Sequence, residues 1–240
     1  MIPLRAWYDR QAGARKRPRL EAEPRPSNYH ALLRAWRQQV ARRLIYIRMI
    51  HAPSDFGSVA ETLDTVGGEV LSVAGWRKHQ ESVAAFWDRL QAELMLRLEK
   101  ELPGADWGEL RIYQDGMPVA GEDARRIVDE VADAGSPNYR LLRELLARGA
   151  RIERTEDAGL LREEYELVRK LAAARGPLEK AQAAQAYRQR GDALLRARDT
   201  FIARRIDETL KEGELGLLFI GALHRVAEYL PPDIEVLSLS

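Results

Sequence analysis

The hydrophobic positions along the chain follow two different periods, and each period predicts one kind of element. Over residues 77–101, apolar side chains recur every three or four positions, as expected for a helix with one face on a core. Residues 158–211 have an almost unbroken helical pattern, which is interrupted at Gly176–Pro177. Shorter helical patterns cover residues 121–135 and 136–149.

Short apolar runs between the helical segments predict strands. Four of these runs are RLIYIRMIH, ELRIYQDG, GARIERTED and GLLFIG. A fifth, IEVLSL at residues 234–239, follows the turn at Pro231–Pro232. Because helices separate most of these strands, the connections are crossovers, and crossovers produce parallel pairing with helices on both faces of the sheet.

The expected fold is therefore α/β, with a mainly parallel sheet of four to five strands and helices on both faces. The helices of residues 158–211 exceed what a single crossover needs, so we expect them to form an extended helical insertion or cap. Residues 1–27 are rich in Arg and Pro and have no apolar period, which indicates a basic arm. Residues 28–240 are expected to form one α/β domain.

Composition excludes several classes of protein. The 240 residues include 38 basic and 37 acidic side chains, so the formal charge of +1 does not favour nucleic acid as a partner. Charges interrupt every apolar run, so no membrane span is expected. The chain has no cysteine, which excludes disulfides and thiolate catalysis. A cytoplasmic protein that acts on a small-molecule or peptide substrate is expected, and a homo-oligomer is compatible with the sequence.

Polar residues stand where the predicted strands end. In an open parallel sheet these ends share one edge, and ligands bind outside it. The first strand ends at His51, with Asp55 four residues later, and the other exits supply more candidates. These candidates are Asp115, then Glu156 and Asp157, and finally Gly221 and His224. Two imidazoles and three or four carboxylates at one edge are typical of a metal site or an acid/base site.

Each of these residues also has a purely structural interpretation. Asp115–Gly116 is a common turn pair. Glu156 and Asp157 could cap the helix that begins near Gly159. His51 could be a hydrogen-bonded histidine of the core. The functional interpretation depends on the fact that several strand exits each supply a polar side chain to the same predicted edge.

Arg198 and Asp199 stand before an amphipathic segment that leads into the GLLFIG strand. An arginine at the start of a helix opposes the helix dipole, so its presence there predicts a specific partner. That partner could be a carboxylate at the strand edge or an anionic group on a ligand. The alternative is that Arg198 is one more exposed arginine.

The order Arg-Asp, amphipathic helix, Gly, apolar strand and GxxH, in residues 198–224, resembles the C-terminal signature of the TraB/GumN and ChaN/erythromycin-esterase-like superfamily. In this comparison His51 matches the family's first histidine, Arg198 and Asp199 match its arginine pair, and Gly221 and His224 match its closing motif. The first motif departs from the family, because RMIH lacks the glycine of GxxH. The family's glutamate has no clear counterpart, and Asp115 or Glu156 could replace it.

Members of that superfamily include metal-dependent proteases and an esterase that acts on macrolides, so the resemblance implies a metal-associated or histidine-based hydrolytic site. Our hypothesis is a hydrolase in which histidines and carboxylates hold a divalent metal, Mn or Zn, or position and deprotonate water. Arg198 would stabilise developing negative charge, and Asp55 or Asp199 would orient a histidine. The candidate metal ligands are His51, Asp115, Glu156, Asp157 and His224.

The alternative is a non-catalytic module that binds a small ligand, or regulates a partner, at the same edge. Arg198 and the histidines would then bind an anionic group, and the helical segment 158–211 would contact a partner or a second copy.

Overall fold

The computed structural model describes residues 42–49, 60–102 and 106–239 of the chain, with side chains of the first helix described from residue 81 onward. Its strands are β1 (Arg42–Met49), β2 (Leu110–Gln114), β3 (Arg151–Glu153), β4 (Leu215–Gly221) and β5 (Ile234–Ser238). They form one parallel sheet in the order β3-β2-β4-β1-β5. The expected α/β fold with a parallel sheet is confirmed.

The helices connect these strands. They are α1 (Ala60–Glu101), α2 (Gly121–Asp133), α3 (Pro137–Ala147), α4 (Ala158–Ala173) and α5 (Pro177–Thr209). Ser136 caps α3 by accepting a hydrogen bond from the Tyr139 N–H, and Pro137 follows at the first helical position, where its missing N–H is not needed. None of the described helices combines the length and the apolar content that crossing a bilayer requires.

The sheet has a buried core on each face, because side chains alternate between the two faces of a strand. Ile45 and Ile47 of β1 belong to the core that contains α1, α2 and α3. Leu44 belongs to the second core, where Ile202 and Ile206 of α5 pack against the sheet. Helices therefore cover both faces, as the sequence predicts.

Gly216 is the position in β4 where the second core leaves no room for a side chain. A Cβ built on Gly216 would lie 2.6 Å from Cδ1 of Leu44 and 3.3 Å from Cε2 of Tyr113. A real Cβ does not approach other atoms so closely, so glycine is what allows Leu44 and Tyr113 to meet over the centre of the sheet.

The helical segment predicted at residues 158–211 is present as α4 and α5, which pack against each other. α4 has no buried residue, whereas the C-terminal third of α5 is buried against the sheet. Apolar side chains such as Leu178 remain exposed on this pair of helices. It is therefore an extended insertion that is anchored mainly through the end of α5.

The structure corrects several predicted boundaries. The helix expected over residues 77–101 begins at Ala60, and β3 ends at Glu153 rather than at Asp157. Arg198 does not begin a helix: it lies in the interior of α5, which continues through this region because neither a proline nor a capping break interrupts it. The helix-dipole argument for Arg198 was therefore wrong. The predicted arm, residues 1–27, lies outside the described residues.

Candidate active site

The candidate site lies at the carboxyl edge of the sheet, beside the central strand β4. The connections that leave β1 and β2 contain α1 to α3 and pack on one face, whereas the connection from β4 to β5 packs with α5 on the other face. Neighbouring connections that diverge in this way leave a crevice, and open α/β sheets bind ligands in such crevices. The topology thus singles out the exits of β2, β4 and β1.

Asp115 joins the exits of β2 and β4. Its backbone N–H donates to the carbonyl of Phe219 at 2.9 Å, and its Oδ2 accepts a hydrogen bond from the Gly221 N–H at 3.0 Å. The turn predicted at Asp115–Gly116 is also present, with Gly116 at φ +79°, a conformation that suits glycine. The turn therefore leaves the Asp115 carboxylate on the α5 side of the sheet, where Arg198 lies.

Arg198 occupies the middle of a buried group of carboxylates. Its Nη2 lies 2.6 Å from Oδ1 of Asp115 and 2.5 Å from Oε1 of Glu156, and its Nε also bonds to Glu156. Its Nη1 bonds to Glu164 of α4. Arg198 is only 6% exposed, so the interpretation as one more exposed arginine is wrong. Of the two partners that the sequence analysis offered for Arg198, a carboxylate at the strand edge or an anion on a ligand, the structure shows the carboxylate.

The charges of this group perturb each other. Burial disfavours the guanidinium cation, but its bonds to Glu156 and the nearby carboxylates more than offset this and raise the pKa of Arg198 above its ordinary value. Glu156 is fully buried, and burial raises its pKa to about 7 although Arg198 favours the ionised form. Arg198 is therefore permanently charged, while Glu156 titrates close to neutral pH.

His224 and Asp199 form a second buried pair beside Asp115. Nδ1 of His224 lies 2.6 Å from Oδ1 of Asp199, whose Oδ2 accepts the backbone N–H of Arg225 at 3.0 Å. A carboxylate beside Nδ1 favours the tautomer with the proton on Nδ1, and Nε2 of His224 lies 3.7 Å from Oδ2 of Asp115. The adjacent positions of Arg198 and Asp199 on α5 thus connect the carboxylate group to the histidine.

Tyr46 of β1 supports the loop that carries His224. Its hydroxyl donates to the backbone carbonyl of His224 at 3.4 Å. Burial raises the pKa of Tyr46, and the negative charge of Asp199 adds to this effect, so the phenol remains a hydrogen-bond donor at neutral pH.

The structure does not place every predicted residue in the site. Asp157 caps α4: its Oδ1 accepts the backbone N–H groups of Gly159 and Leu160, at 2.8 and 3.1 Å. This is the structural role that the sequence left open for it. His51 and Asp55 lie outside the described residues.

The sequence did not identify Glu164, Tyr46 or Asn138 as part of this edge. Asn138 lies on the opposite face of the sheet, where its Nδ2 and the Nε2 of Gln114 approach the sulfur of Met49 at 3.6 and 3.9 Å. The side-chain oxygens of Gln114 and Asn138 are buried without a hydrogen-bond partner among the described residues. The polar character of the edge therefore extends to both faces.

The predicted divalent metal can be compared with the donors present. Nε2 of His224 and Oδ2 of Asp115, 3.7 Å apart, could both bind one ion at about 2.1 Å from each. The Glu156 carboxylate is already bonded to Arg198. Within the described ranges, no group of three or more candidate ligands is assembled. A complete metal site would therefore need a further ligand, and His51 is the predicted one.

Comparison with known proteins found no match. No family model, no curated protein and no solved structure is significantly similar to the chain.

Proposed function

We propose that the chain is a hydrolase in which His224, oriented by Asp199, acts as the general base toward water. The observation that carries the proposal is the buried contact of 2.6 Å between Nδ1 of His224 and Oδ1 of Asp199 at the carboxyl edge of the sheet. A carboxylate on Nδ1 fixes the tautomer that leaves a lone pair on Nε2, and it stabilises the imidazolium that forms when Nε2 accepts a proton.

Asp115 assists the same proton transfer. Its Oδ2, 3.7 Å from Nε2 of His224, is held by the Gly221 N–H and stabilises positive charge on the ring. Arg198 holds the other oxygen of Asp115, together with Glu156. Because the guanidinium nitrogens of Arg198 are engaged by three carboxylates, its role in this proposal is to position Asp115 rather than to bind the reacting group.

Because three carboxylates already bind the guanidinium of Arg198, the alternative function, a module that binds an anionic ligand through Arg198, is less well supported. An anion would have to displace Glu156, Asp115 or Glu164 from the guanidinium and would leave a buried carboxylate without its partner. No observation on this edge favours that function over hydrolysis.

The resemblance to the TraB/GumN and ChaN/erythromycin-esterase-like superfamily supports the same reaction class. If the reaction used Mn or Zn, His224, Asp115 and His51 would hold the ion, which would lower the pKa of a bound water molecule, and Nε2 of His224 would then be a metal ligand instead of the general base. Elemental analysis of the purified protein, with His51→Ala as the comparison, decides whether the reaction uses this metal.

The proposal is tested with panels of chromogenic carboxylic esters, phosphate esters and short peptides. His224→Ala and Asp199→Asn should each lower kcat/KM by about 10²- to 10⁴-fold on any substrate that the wild type hydrolyses. Glu163→Gln, at a half-exposed ion pair on α4, is the matched control and should keep wild-type activity.

Two results would overturn the proposal. One is a folded His224→Ala variant, verified by circular dichroism, that hydrolyses every substrate as fast as the wild type. The other is a wild-type protein that hydrolyses no member of the three panels, with or without added Mn or Zn.

A further inference from the structure

A pocket lies at the outer side of β1, beside the end of this strand. Its volume is about 290 Å³, near the lower end of the range for small-molecule sites. The pairing between β1 and β5 ends at Tyr46 and Ser238, whereas β1 continues to Met49. The last residues of β1 therefore have no β5 partner among the described residues, and the pocket occupies the space beside them.

The walls of the pocket combine positive charge with apolar surface. Arg48 of β1 and Arg89 of α1 line it, together with Glu93, so the charges of these three described side chains sum to +1. Within the described part of the chain, neither arginine has an ion pair or a hydrogen bond to another side chain. By contrast, Arg43 on the same strand is paired with Glu101.

The apolar part of the wall comes from both elements. Ile47 of β1 and Leu90 of α1 are buried in the core beneath the pocket, and Phe86 presents its ring at the side. Rings of this kind pack against apolar ligand bodies, and guanidinium groups bind carboxylate or phosphate in a planar, paired geometry. The two kinds of surface lie next to each other in one pocket.

We infer that this pocket is a binding site for a small organic anion, a carboxylate or a phosphate ester, with Arg48 and Arg89 on the anionic group and Phe86, Ile47 and Leu90 against an apolar body. The site is additional to the proposed hydrolytic function and does not depend on it. Tyr46 lines the pocket and also bonds to the carbonyl of His224, so the two sites share one side chain.

The test uses three probes with the same aromatic body: phenylacetate, the neutral phenylacetamide and the cationic phenethylamine. Binding to the full chain is measured by ligand-observed NMR titration at low salt. Phenylacetate should bind, and the amide and the amine should bind about fivefold more weakly, since one exposed charge pair contributes up to about that factor.

Variants locate the binding. Arg48→Gln and Arg89→Gln should each weaken phenylacetate binding about fivefold, and Glu93→Gln should strengthen it because it removes the opposing charge. Arg143→Gln, at an exposed ion pair on α3, is the matched control and should leave the affinity unchanged. Phenyl phosphate distinguishes the two anion types: tighter binding than phenylacetate, sensitive to the same two arginines, would assign a phosphate-bearing ligand to the pocket.

The inference is wrong if the three probes bind equally, or if both arginine variants bind phenylacetate as the wild type does. Because the readout is binding, it is separate from the hydrolase proposal. A His224→Ala variant should still bind phenylacetate normally, even if it has lost all activity.

Discussion

Replacing Glu156 with glutamine should remove a pH dependence of stability that the buried carboxyl group creates. Burial raises the pKa of Glu156 from its ordinary 4.5 to about 7, against the effect of Arg198. An acid with a raised pKa holds its proton more tightly in the folded state, so its ionisation destabilises the fold as the pH increases from about 4.5 through about 7.

The size of the effect follows from the difference between the ordinary and the raised pKa of Glu156. At about 1.4 kcal/mol per pH unit, the difference between 4.5 and about 7 corresponds to about 3 kcal/mol of lost stability once the pH exceeds 7. Most of this loss, about 2–3 kcal/mol, develops between pH 5 and pH 8. Glutamine keeps the shape of the side chain but cannot ionise, so the variant lacks this contribution.

This pH-dependent contribution to stability is measured by urea unfolding, followed by circular dichroism at pH 5, 6, 7 and 8. The free energy of unfolding of Glu156→Gln minus that of the wild type should increase by about 2–3 kcal/mol from pH 5 to pH 8, because only the wild type loses stability over this range. Glu163→Gln, where the glutamate is paired with Arg190 at the surface, should show no such trend. If the stability of Glu156→Gln and the wild type changed in parallel over this range, the argument for a buried, proton-binding Glu156 would be refuted.

Three further substitutions test the packing by the same unfolding measurement at pH 7. Gly216→Ala should destabilise the protein by about 1–3 kcal/mol, because the new Cβ would lie 2.6 Å from a methyl carbon of Leu44. Tyr113→Phe should cost about 1 kcal/mol, because it removes the 2.8 Å hydrogen bond to Thr209. Asp157→Ala should cost about 1 kcal/mol, because α4 loses its N-cap.

Each of these has a matched control. Gly191→Ala, inside α5 where the new Cβ meets only an ordinary contact with Tyr187, should stabilise the protein by about 0.5–1 kcal/mol. Tyr165→Phe, on the exposed side of α4, should have no measurable effect. Asp157→Asn should retain most of the cap. A Gly216→Ala variant as stable as Gly191→Ala would contradict the tight packing over β4.

Most helices and strands could be predicted from the sequence because each one is determined by a local pattern of apolar residues. The short apolar runs of β1 and β4 and the three-to-four spacing in α1 reflect which side chains are buried in a core, and these patterns can be read without a structure. The strand exits at Asp115, Glu156 and His224 could be proposed for the same reason, since parallel strands place their ends at one edge.

The remaining features depend on packing between distant segments. Glu164 lies in a helical pattern full of charges, and its contact with Arg198 arises only from the way α4 packs beside α5. Arg198 was assigned to the wrong part of its helix because the sequence around it contains an amphipathic pattern without a clear start. Asp157 and Glu156 are neighbours in the chain, yet Asp157 caps α4 and Glu156 is buried beside Arg198. Nothing in the sequence around these two acids predicts which of them takes which role.

The central position of β4 has a consequence for how the chain folds during synthesis. β1 and β2 do not pair with each other; each pairs with β4, which the ribosome makes about 100 residues after β2 and about 170 after β1. Until residues 215–221 emerge, β1 has no partner on either side, because β5 is made later still, and β2 can pair only with β3, so these strands have unpaired edges that can associate with other chains. The segment that joins β1 to β2 also brings Gly221 and His224 to the carboxyl edge, so the joining of these strands and the assembly of the candidate site are the same late event.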